Sequence, residues 1–404
     1  MHEHLMILGI TFVILGYGFF SNLLGKYNIS GPMVFTAVGV LLSPLGLRDS
    51  AVDFDTEAVQ VIAEIALILV LFSDAAALDF QKLKAKWRLP TRLLFVAMPI
   101  TIILSYYTAG LLFPEETPLY LLLLALILAP TDAALGKIVV SDKRIPETVR
   151  NTINVESGLN DGIVFPVLLT VVAMITSSGT NSADGWLGYI AQQIAIGAIA
   201  GALVGWLGAK LSQMTMEREW IAHQYLNLIP IALAILSFYV AEHFQGNGYI
   251  AAFFAGLYLG NTNKILKKNV EEFAESEGEL LIMVSFLVFG LVFIPLMIPY
   301  LTLNAWIFAL LSLTLLRMIP IVLSFGFFKL DFITRLFIAW FGPRGIASIL
   351  YILVAVHSLG GIEGHEQIFS VASLTILLSI ILHGLSAKPL SVLYAKYHIS
   401  QNNK

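Results

Sequence analysis

The sequence predicts an all-α polytopic membrane protein, because of its composition, its recurrent long apolar runs and the placement of its basic residues. Of its 404 residues 58% are hydrophobic and only 12% are charged, against about a quarter charged in an ordinary soluble domain. Apolar runs of about 20 residues, enough to cross about 30 Å of hydrocarbon, recur along the whole chain. Cysteine is absent, which excludes disulfides, thiolate metal sites and cysteine nucleophiles.

These runs predict a single transmembrane domain of 13 helices, built as two inverted repeats of six joined by a linker helix. Repeat one covers about 4–177, the linker about 185–210 and repeat two about 221–388, with a short cytoplasmic tail at 389–404. The offset of seven helices between repeats is odd, so the second repeat is inverted. The predicted spans lie near 4–24, 29–47, 58–78, 91–113, 117–140, 147–177, 185–210, 221–243, 247–262, 279–298, 302–328, 332–356 and 366–388.

The basic residues set the predicted orientation, because Lys and Arg near span ends stay on the cytoplasmic side. With the N-terminus outside and the C-terminus cytoplasmic, 20 of the 23 basic residues are cytoplasmic and only Arg48 is outside. The remaining two, Arg317 and Arg344, lie within the membrane. The cytoplasmic set includes Lys82, Lys84, Lys86, Arg88, Arg92, Lys143, Arg144, Arg150, Lys264, Lys267 and Lys268. The simplest location is the cell (inner or plasma) membrane of a prokaryote.

A few charged residues fall deep in the predicted spans, where each costs at least about 2.5–3.5 kcal/mol on insertion scales. Such residues therefore need a partner or a function. The deep charges are Asp74, Asp132, Glu156, Asp161, Arg317 and Arg344. Glu64, Glu242 and His383 are nearer span ends or lack an evident partner, and are interpreted as interfacial or snorkelling residues.

The segment NVESGLNDG in the sixth span carries two of these charges. At about 100° per residue, Ser157 and Asp161 share one face of the helix, while Glu156 and Asn160 share another. A hydroxyl and a carboxylate are hard oxygen donors that suit a small alkali cation. Glu156 needs a buried cationic side chain to neutralise it. The alternative is an inert polar network that holds helices together.

Two further segments interrupt a predicted helix beside a charge. Pro130 interrupts ALILAPTDAALG next to Asp132, and FGPRG disrupts the twelfth span around Arg344 through Gly342, Pro343 and Gly345. These breaks fall in corresponding spans of the two repeats, which indicates the substrate site of an inverted-repeat transporter. We expect the broken helices to cross at mid-membrane, where Asp132 and Arg344 would balance the exposed helix ends and Thr131 could bind a cation.

The motifs APTD, NVESGLNDG and FGPRG, in this order and in these spans, resemble those of NhaP-type sodium/proton antiporters of the monovalent cation:proton antiporter superfamily. The resemblance covers essentially the whole chain, including LVLFSDAAALDF, LLRMIPIV and LHGLSAKPL. It implies that Asp161 alternately holds a proton or a cation, with Ser157, Thr131 and Asp132 as neighbouring ligands.

The resemblance also implies that Glu156 pairs with Arg344 and that Asn160 and Arg317 support the site. Asn160 before the essential Asp161 is similar to the electroneutral branch, in which one cation exchanges for one proton. A homodimer is implied as well. In this chain Ala133 replaces a proline common among relatives, so the first break rests on Pro130. Asp74, which stands where relatives often have glutamate, is counted with the cation- and proton-binding residues.

The predicted function is secondary active antiport, with no enzyme activity, no cofactor and no nucleic-acid partner. Na⁺ is the first candidate cation at Asp161, Ser157 and Thr131, with Li⁺ also accepted and K⁺ as an alternative, since ligand distances decide among them. The first rival is a symporter or channel for a small anionic solute held by Arg344. The second is an intramembrane aspartyl protease using Asp132 and Asp161. The sequence lacks the GxGD-type signature that such proteases carry.

Overall fold

The computed structural model describes residues 2–43, 57–79, 87–176, 183–222, 225–275, 277–326, 328 and 330–402. Within these ranges the chain is helical and contains no β-strand. Several predictions fall outside the described residues. They concern Arg48, Lys82, Lys84 and Lys86, the end of the second predicted span at 44–47, residue 177 of the sixth span and the end of the tail at 403–404.

The helices are numbered in chain order. The helix Glu277–Val288 continues through a π-helical segment, Phe289–Phe293, and Ile294–Met297 to a 3-10 turn at Ile298–Tyr300. The helices are α1 His2–Lys26, α2 Gly31–Leu42, α3 Glu57–Ala77, α4 Arg88–Leu112, α5 Pro118–Ile127, α6 Ala133–Ser141, α7 Glu147–Thr176, α8 Ala183–Glu217, α9 Leu228–His243, α10 Gly248–Thr262, α11 Lys264–Glu275, α12 Glu277–Val288, α13 Leu303–Leu313, α14 Leu315–Ser324, α15 Phe332–Trp340, α16 Ile346–Leu359 and α17 Glu366–Asn402.

Six helical stretches in the described residues are long and apolar enough to cross a membrane. They are Arg88–Leu112, Glu147–Thr176, Ala191–Glu217, Lys264–Tyr300, Leu303–Ser324 and Glu366–Ser400. Four shorter apolar helices, α2, α5, α9 and α16, accompany them. Two of these, α5 and α16, are halves of the interrupted helices predicted from Pro130 and from FGPRG.

Each of the 13 predicted segments overlaps one or two of these helices, but three features differ from the prediction. Helix α11 occupies a segment that was predicted to be a loop. Its sequence alternates charged residues with apolar ones such as Leu266 and Val270, which are buried, so an amphipathic helix forms there. The eleventh segment is divided at Thr314. Helix α17 continues through the predicted tail, where Tyr394 stacks on Phe337 at 4.1 Å between ring centroids.

The described chain divides into two compact units. The first consists of Met1–Gln60, Arg88–Asn160 and Ile282–Lys404. One apolar cluster in this unit joins α4, α6, α7, α14, α15 and α17. Its buried members are Leu93, Ala97, Val139, Ile145, Val149, Ile153, Ile321, Phe325, Phe337, Ile338, Ala339, Phe341, Ala387 and Tyr394.

The second unit consists of Val61–Trp87 and Asp161–Leu281. Its helices approach closely through small residues, as is common where helices pack in membranes. A side chain at Gly201 or Gly205 of α8 would collide with the backbone of α10, and one at Gly256 or Gly260 of α10 would collide with the backbone of α3. The Lys267 ammonium donates to the Ala77 carbonyl at 2.9 Å and so caps α3.

Candidate functional site

Two interrupted helices of the first unit meet at their breaks. Helix α5 ends at Ile127 and α6 begins at Ala133, while α15 ends at Trp340 and α16 begins at Ile346. The main-chain N–H of Asp132 donates to the carbonyl of Pro343 at 2.8 Å, which joins the two non-helical segments directly. Proline in each segment removes a helical donor, so both helices must stop there.

Asp132 caps the second half of the other broken helix. Its Oδ2 accepts the main-chain N–H of Ile346, the first residue of α16, at 2.8 Å. A carboxylate at this end is favoured because the first N–H groups of a helix are unpaired and carry partial positive charge. The preceding residue must be glycine, because a Cβ at Gly345 would collide with the Asp132 carboxylate.

Arg344 serves the opposite kind of group, the carbonyls that the breaks leave without helical partners. The side chain is fully buried, and its Nη1 donates to the carbonyls of Pro130 at 3.3 Å and Gly342 at 3.2 Å. Backbone groups at such positions have to be paired within the protein when water is excluded. Arg344 therefore holds the carbonyls of both breaks with one guanidinium nitrogen.

Glu156 has a different partner from the one expected. The structure pairs it with Arg317 of α14, whose Nη2 donates to Glu156 Oε1 at 2.9 Å, and not with Arg344. Both members of the pair are buried. The physical reason is that Arg344 is turned to the break carbonyls, whereas Arg317 lies against Gly342, where a Cβ would collide with its guanidinium.

A small hydroxyl and amide network joins helix α7 to the first break. The amide nitrogen of Asn160 donates to the Thr131 hydroxyl at 2.7 Å and to the Thr131 carbonyl at 3.2 Å. The hydroxyls of Thr131 and Ser157 lie 3.1 Å apart. Ser157 and Asn160, expected on different faces of the helix, thus both reach Thr131, because residues three apart are neighbours on a helix.

Asp161 follows Asn160 on the same continuous helix and is buried. The division between the two compact units falls between these two residues, so Asp161 belongs to the second unit. Asp74 also belongs to the second unit, where it lies half-buried on the last turn of α3. The first unit thus brings together Thr131, Asp132, Glu156, Ser157, Asn160, Arg317 and Arg344 with the break residues Pro130, Gly342, Pro343 and Gly345.

Three polar residues that the sequence analysis did not assign to the breaks contact them in the structure. Ser348 donates to the Ile127 carbonyl at 2.7 Å and thereby pairs the end of α5. Ser379 and His383 of α17 contact the second break. His383 is 1% exposed, so it is not the interfacial residue that the sequence analysis expected. The sequence signal was a serine and a histidine four apart in an apolar run, which places both on one face of a helix.

The loop between α6 and α7 carries a surface ion pair. The Arg144 guanidinium donates to both carboxylate oxygens of Asp142, the shortest distance being 2.7 Å. This hydrogen bonding lowers the pKa of Asp142 below its ordinary value. Arg150 completes the loop by donating from Nε to the Ile145 carbonyl at 3.0 Å.

Comparisons with known proteins identify the family. A model of the family described as sodium/hydrogen exchanger, transmembrane, matches residues 9–393. A K(+)/H(+) antiporter NhaP from Alkalimonas amylolytica is 24% identical over 396 residues, or 95% of this chain. A probable Na(+)/H(+) antiporter from Schizosaccharomyces pombe is 26% identical over 369 residues, or 83% of this chain. The matched regions are 67% and 48% of the lengths of these two relatives.

The sodium proton antiporter MjNhaP1 from Methanocaldococcus jannaschii has the same fold. Its TM-score is 0.77 at 21% identity, and the match covers 97% of this chain and 99% of that chain. The resemblance to NhaP-type antiporters predicted from APTD, NVESGLNDG and FGPRG is therefore confirmed. With nearly all of its length matched by the family model, the chain belongs to the sodium/hydrogen exchanger transmembrane family.

Proposed function

We propose that the protein is a secondary active antiporter that exchanges a monovalent cation for a proton. The family membership supports this class of activity. The observation that carries the proposal is the buried network of Thr131, Ser157 and Asn160, which concentrates hard oxygen atoms at a helix break. Asp161 is the next residue of the same helix, one turn beyond Ser157 by the 3.6-residue periodicity.

Asp161 is the carboxylate for which cation and proton compete, and Na⁺ is the first candidate cation, with Li⁺ and K⁺ as alternatives. Thr131 and Ser157 supply neutral oxygen ligands. Occupied by either ion, the site carries no net charge and can cross the barrier between the two exposures. The empty carboxylate is a bare buried anion and cannot. Exchange is therefore obligatory, and with one carboxylate it is electroneutral, one cation for one proton.

We also propose the membrane arrangement in which this site lies at mid-membrane. The 13 segments each span the bilayer, in two inverted repeats of six, with the N-terminus outside and the C-terminus in the cytoplasm of a prokaryotic cell. The absence of cysteine makes this directly testable. A single cysteine at Glu363 should react with an impermeant maleimide added to intact cells, and one at Lys143 should react only after lysis.

A homodimer is the proposed assembly, following the family resemblance. Light scattering of the purified protein in detergent tests it. A mass equal to one chain of 44.3 kDa, after subtraction of bound detergent, would contradict it.

Exchange is tested in proteoliposomes containing a pH-sensitive dye, with Na⁺, Li⁺ and K⁺ added in turn. Valinomycin with K⁺ clamps the voltage in the Na⁺ and Li⁺ assays. We expect the wild type to respond to at least one cation and Asp161→Asn to respond to none. An unchanged response with and without the clamp supports electroneutrality, and a response that the clamp increases contradicts it.

The matched control is Glu242→Gln, which removes an exposed carboxylate near a helix end while keeping an acceptor for the Gly248 N–H. It should exchange like the wild type. If Asp161→Asn also exchanges like the wild type, Asp161 is not the shared carboxylate. If the wild type responds to no cation, the alternative of an anion symporter that uses Arg344 gains support.

A further inference from the structure

Helix α17 holds the second break through two side chains to which no role in exchange has been given. The hydroxyl of Ser379 accepts the main-chain N–H of Arg344 at 2.7 Å. The Nε2 atom of His383 lies 3.1 Å from the carbonyl of Trp340, the last residue of α15. Ser379 and His383 are one turn apart, so one face of α17 reaches both ends of the break.

The partners of His383 determine which nitrogen carries the hydrogen in the neutral ring. The Trp340 carbonyl can only accept, so Nε2 must be the donor. Nδ1 is then the acceptor, and the Ser379 hydroxyl, 3.1 Å away, donates to it. Nδ1 also lies 3.2 Å from the Ser379 carbonyl, to which the opposite tautomer would donate, but that tautomer would leave Nε2 and the Trp340 carbonyl as two facing acceptors and would make one hydrogen bond fewer. The result is a continuous chain from the Arg344 N–H through the Ser379 hydroxyl to His383 and on to the Trp340 carbonyl.

Burial makes these hydrogen bonds consequential. Ser379, His383 and Arg344 are each at most 1% exposed, so a backbone group released here has no water to replace the lost partner. The ring of His383 also lies 4.8 Å from the ring of Trp340, whose Nε1 donates to Ser386 on the next turn of α17. The start of the break is therefore fixed by packing as well as by hydrogen bonds.

We propose that Ser379 and His383 are positioning residues for ion exchange, which fix the non-helical segment 341–345 so that Arg344 and Gly345 keep their contacts with the first break. Arg344 reaches the Pro130 carbonyl, and Gly345 gives room for the Asp132 carboxylate. Movement of the second break therefore displaces the segment that carries Thr131. This inference rests on the proposed function and adds to it residues from the last helix.

The test compares Ser379→Ala with Ser373→Ala. Ser373 is a matched control, because it is a buried serine of the same helix whose hydroxyl donates only along the helix, to the Phe369 carbonyl. We expect Ser379→Ala to raise the half-maximal cation concentration by about tenfold, as the loss of a buried hydrogen-bond partner does, and Ser373→Ala to leave it unchanged. Ser379→Thr keeps the hydroxyl and should restore the wild-type value.

Two histidine variants separate the two hydrogen bonds. His383→Gln places an amide donor near the position of Nε2 and keeps the Trp340 contact, while His383→Asn places an acceptor near Nδ1 and keeps the Ser379 contact. Each should shift the half-maximal cation concentration less than His383→Ala does. A purely structural role would instead lower the amount of folded transporter and the maximal rate, with the half-maximal concentration unchanged in every variant.

Hydrogen–deuterium exchange of a peptide covering 341–346 provides a readout that does not need transport. We expect faster exchange in Ser379→Ala than in the wild type and in Ser373→Ala. If the rate of deuterium uptake by this peptide and the half-maximal cation concentration are the same in both serine variants, the inference is wrong. If no cation drives proton exchange across the membrane in the wild type, the proposed function fails. Faster deuterium uptake by this peptide in Ser379→Ala would still show that Ser379 fixes the second break.

Discussion

The main-chain N–H of Asp132 donates to the carbonyl of Pro343 at 2.8 Å, so the two interrupted helices are joined backbone to backbone. Each break also supplies one charged side chain to the other, since Asp132 pairs with the N–H of Ile346 and Arg344 pairs with the carbonyl of Pro130. This reciprocity means that neither break can be altered without consequence for the other.

Gly345→Ala should abolish most exchange activity. The added Cβ collides with the Asp132 carboxylate, and overpacking of this kind costs about 1–3 kcal/mol and displaces the side chain. Gly136→Ala is the matched control, because a Cβ at Gly136 meets nothing within 4 Å. The measurement is the cation-induced dye response in proteoliposomes. Equal responses from the two variants would show that the tight contact at Gly345 is not required.

The pair of Glu156 and Arg317 should show strong coupling in a double-mutant cycle. Breaking a buried ion pair from one side leaves an unpaired charge and costs about 3–5 kcal/mol, so Glu156→Gln and Arg317→Met should each lower the free energy of unfolding strongly. The double variant should lose much less than the sum. Denaturant unfolding in detergent measures all four proteins. Strictly additive losses would contradict the pairing, and Arg344→Met in place of Arg317→Met shows whether the coupling is specific.

Asp132 should have separable roles in stability and transport. Asp132→Asn keeps an oxygen acceptor for the Ile346 N–H, whereas Asp132→Ala removes the cap and should cost about 0.5–2 kcal/mol of stability. Thermal unfolding should therefore rank the alanine variant below the asparagine variant. If Asp132 also contributes charge near the cation, both variants should raise the half-maximal cation concentration. Equal thermal stability of the two variants would refute the capping role.

Exchange should show a bell-shaped pH dependence. At low pH protons hold the shared carboxylate, and at high pH no protons are available to exchange for the cation. Initial rates of dye response, measured with equal pH on both sides of the membrane at each starting pH, trace this profile. A rate that stays flat between about pH 5 and about pH 9 would be incompatible with a single carboxylate shared by cation and proton.

The surface pair of Asp142 and Arg144 should contribute a small, pH-dependent stability. Because hydrogen bonding from Arg144 lowers the pKa of Asp142 in the folded protein, the contribution is present above the unfolded pKa of about 3.9. It is lost as the pH falls through the folded value. Arg144→Gln should therefore unfold at a slightly lower temperature than the wild type at pH 7, and the difference should vanish in strong acid. A difference that persists in acid would indicate another cause.

The positions of the breaks could be predicted from the sequence, because proline and glycine act locally on the backbone. The partner of Glu156 could not be, since two buried arginines were chemically eligible and only the three-dimensional path of Arg317 over Gly342 decides between them. The role of His383 was missed for a similar reason. Its partners are a carbonyl and a hydroxyl, groups so common that sequence alone does not single them out.

Helix α17 and helix α15 are bonded at two separate levels, at Tyr394 with Thr334 and at His383 and Ser386 with Trp340. Two such attachments make α15 and α17 a rigid pair, so that a tilt or slide of one must carry the other. The rigid pair also includes Arg344, whose main-chain N–H donates to Ser379. Gly345 is the first residue beyond this pair, and the Asp132 carboxylate packed against it accepts the N–H of Ile346, so the same rigid pair also carries the start of α16 and the first break.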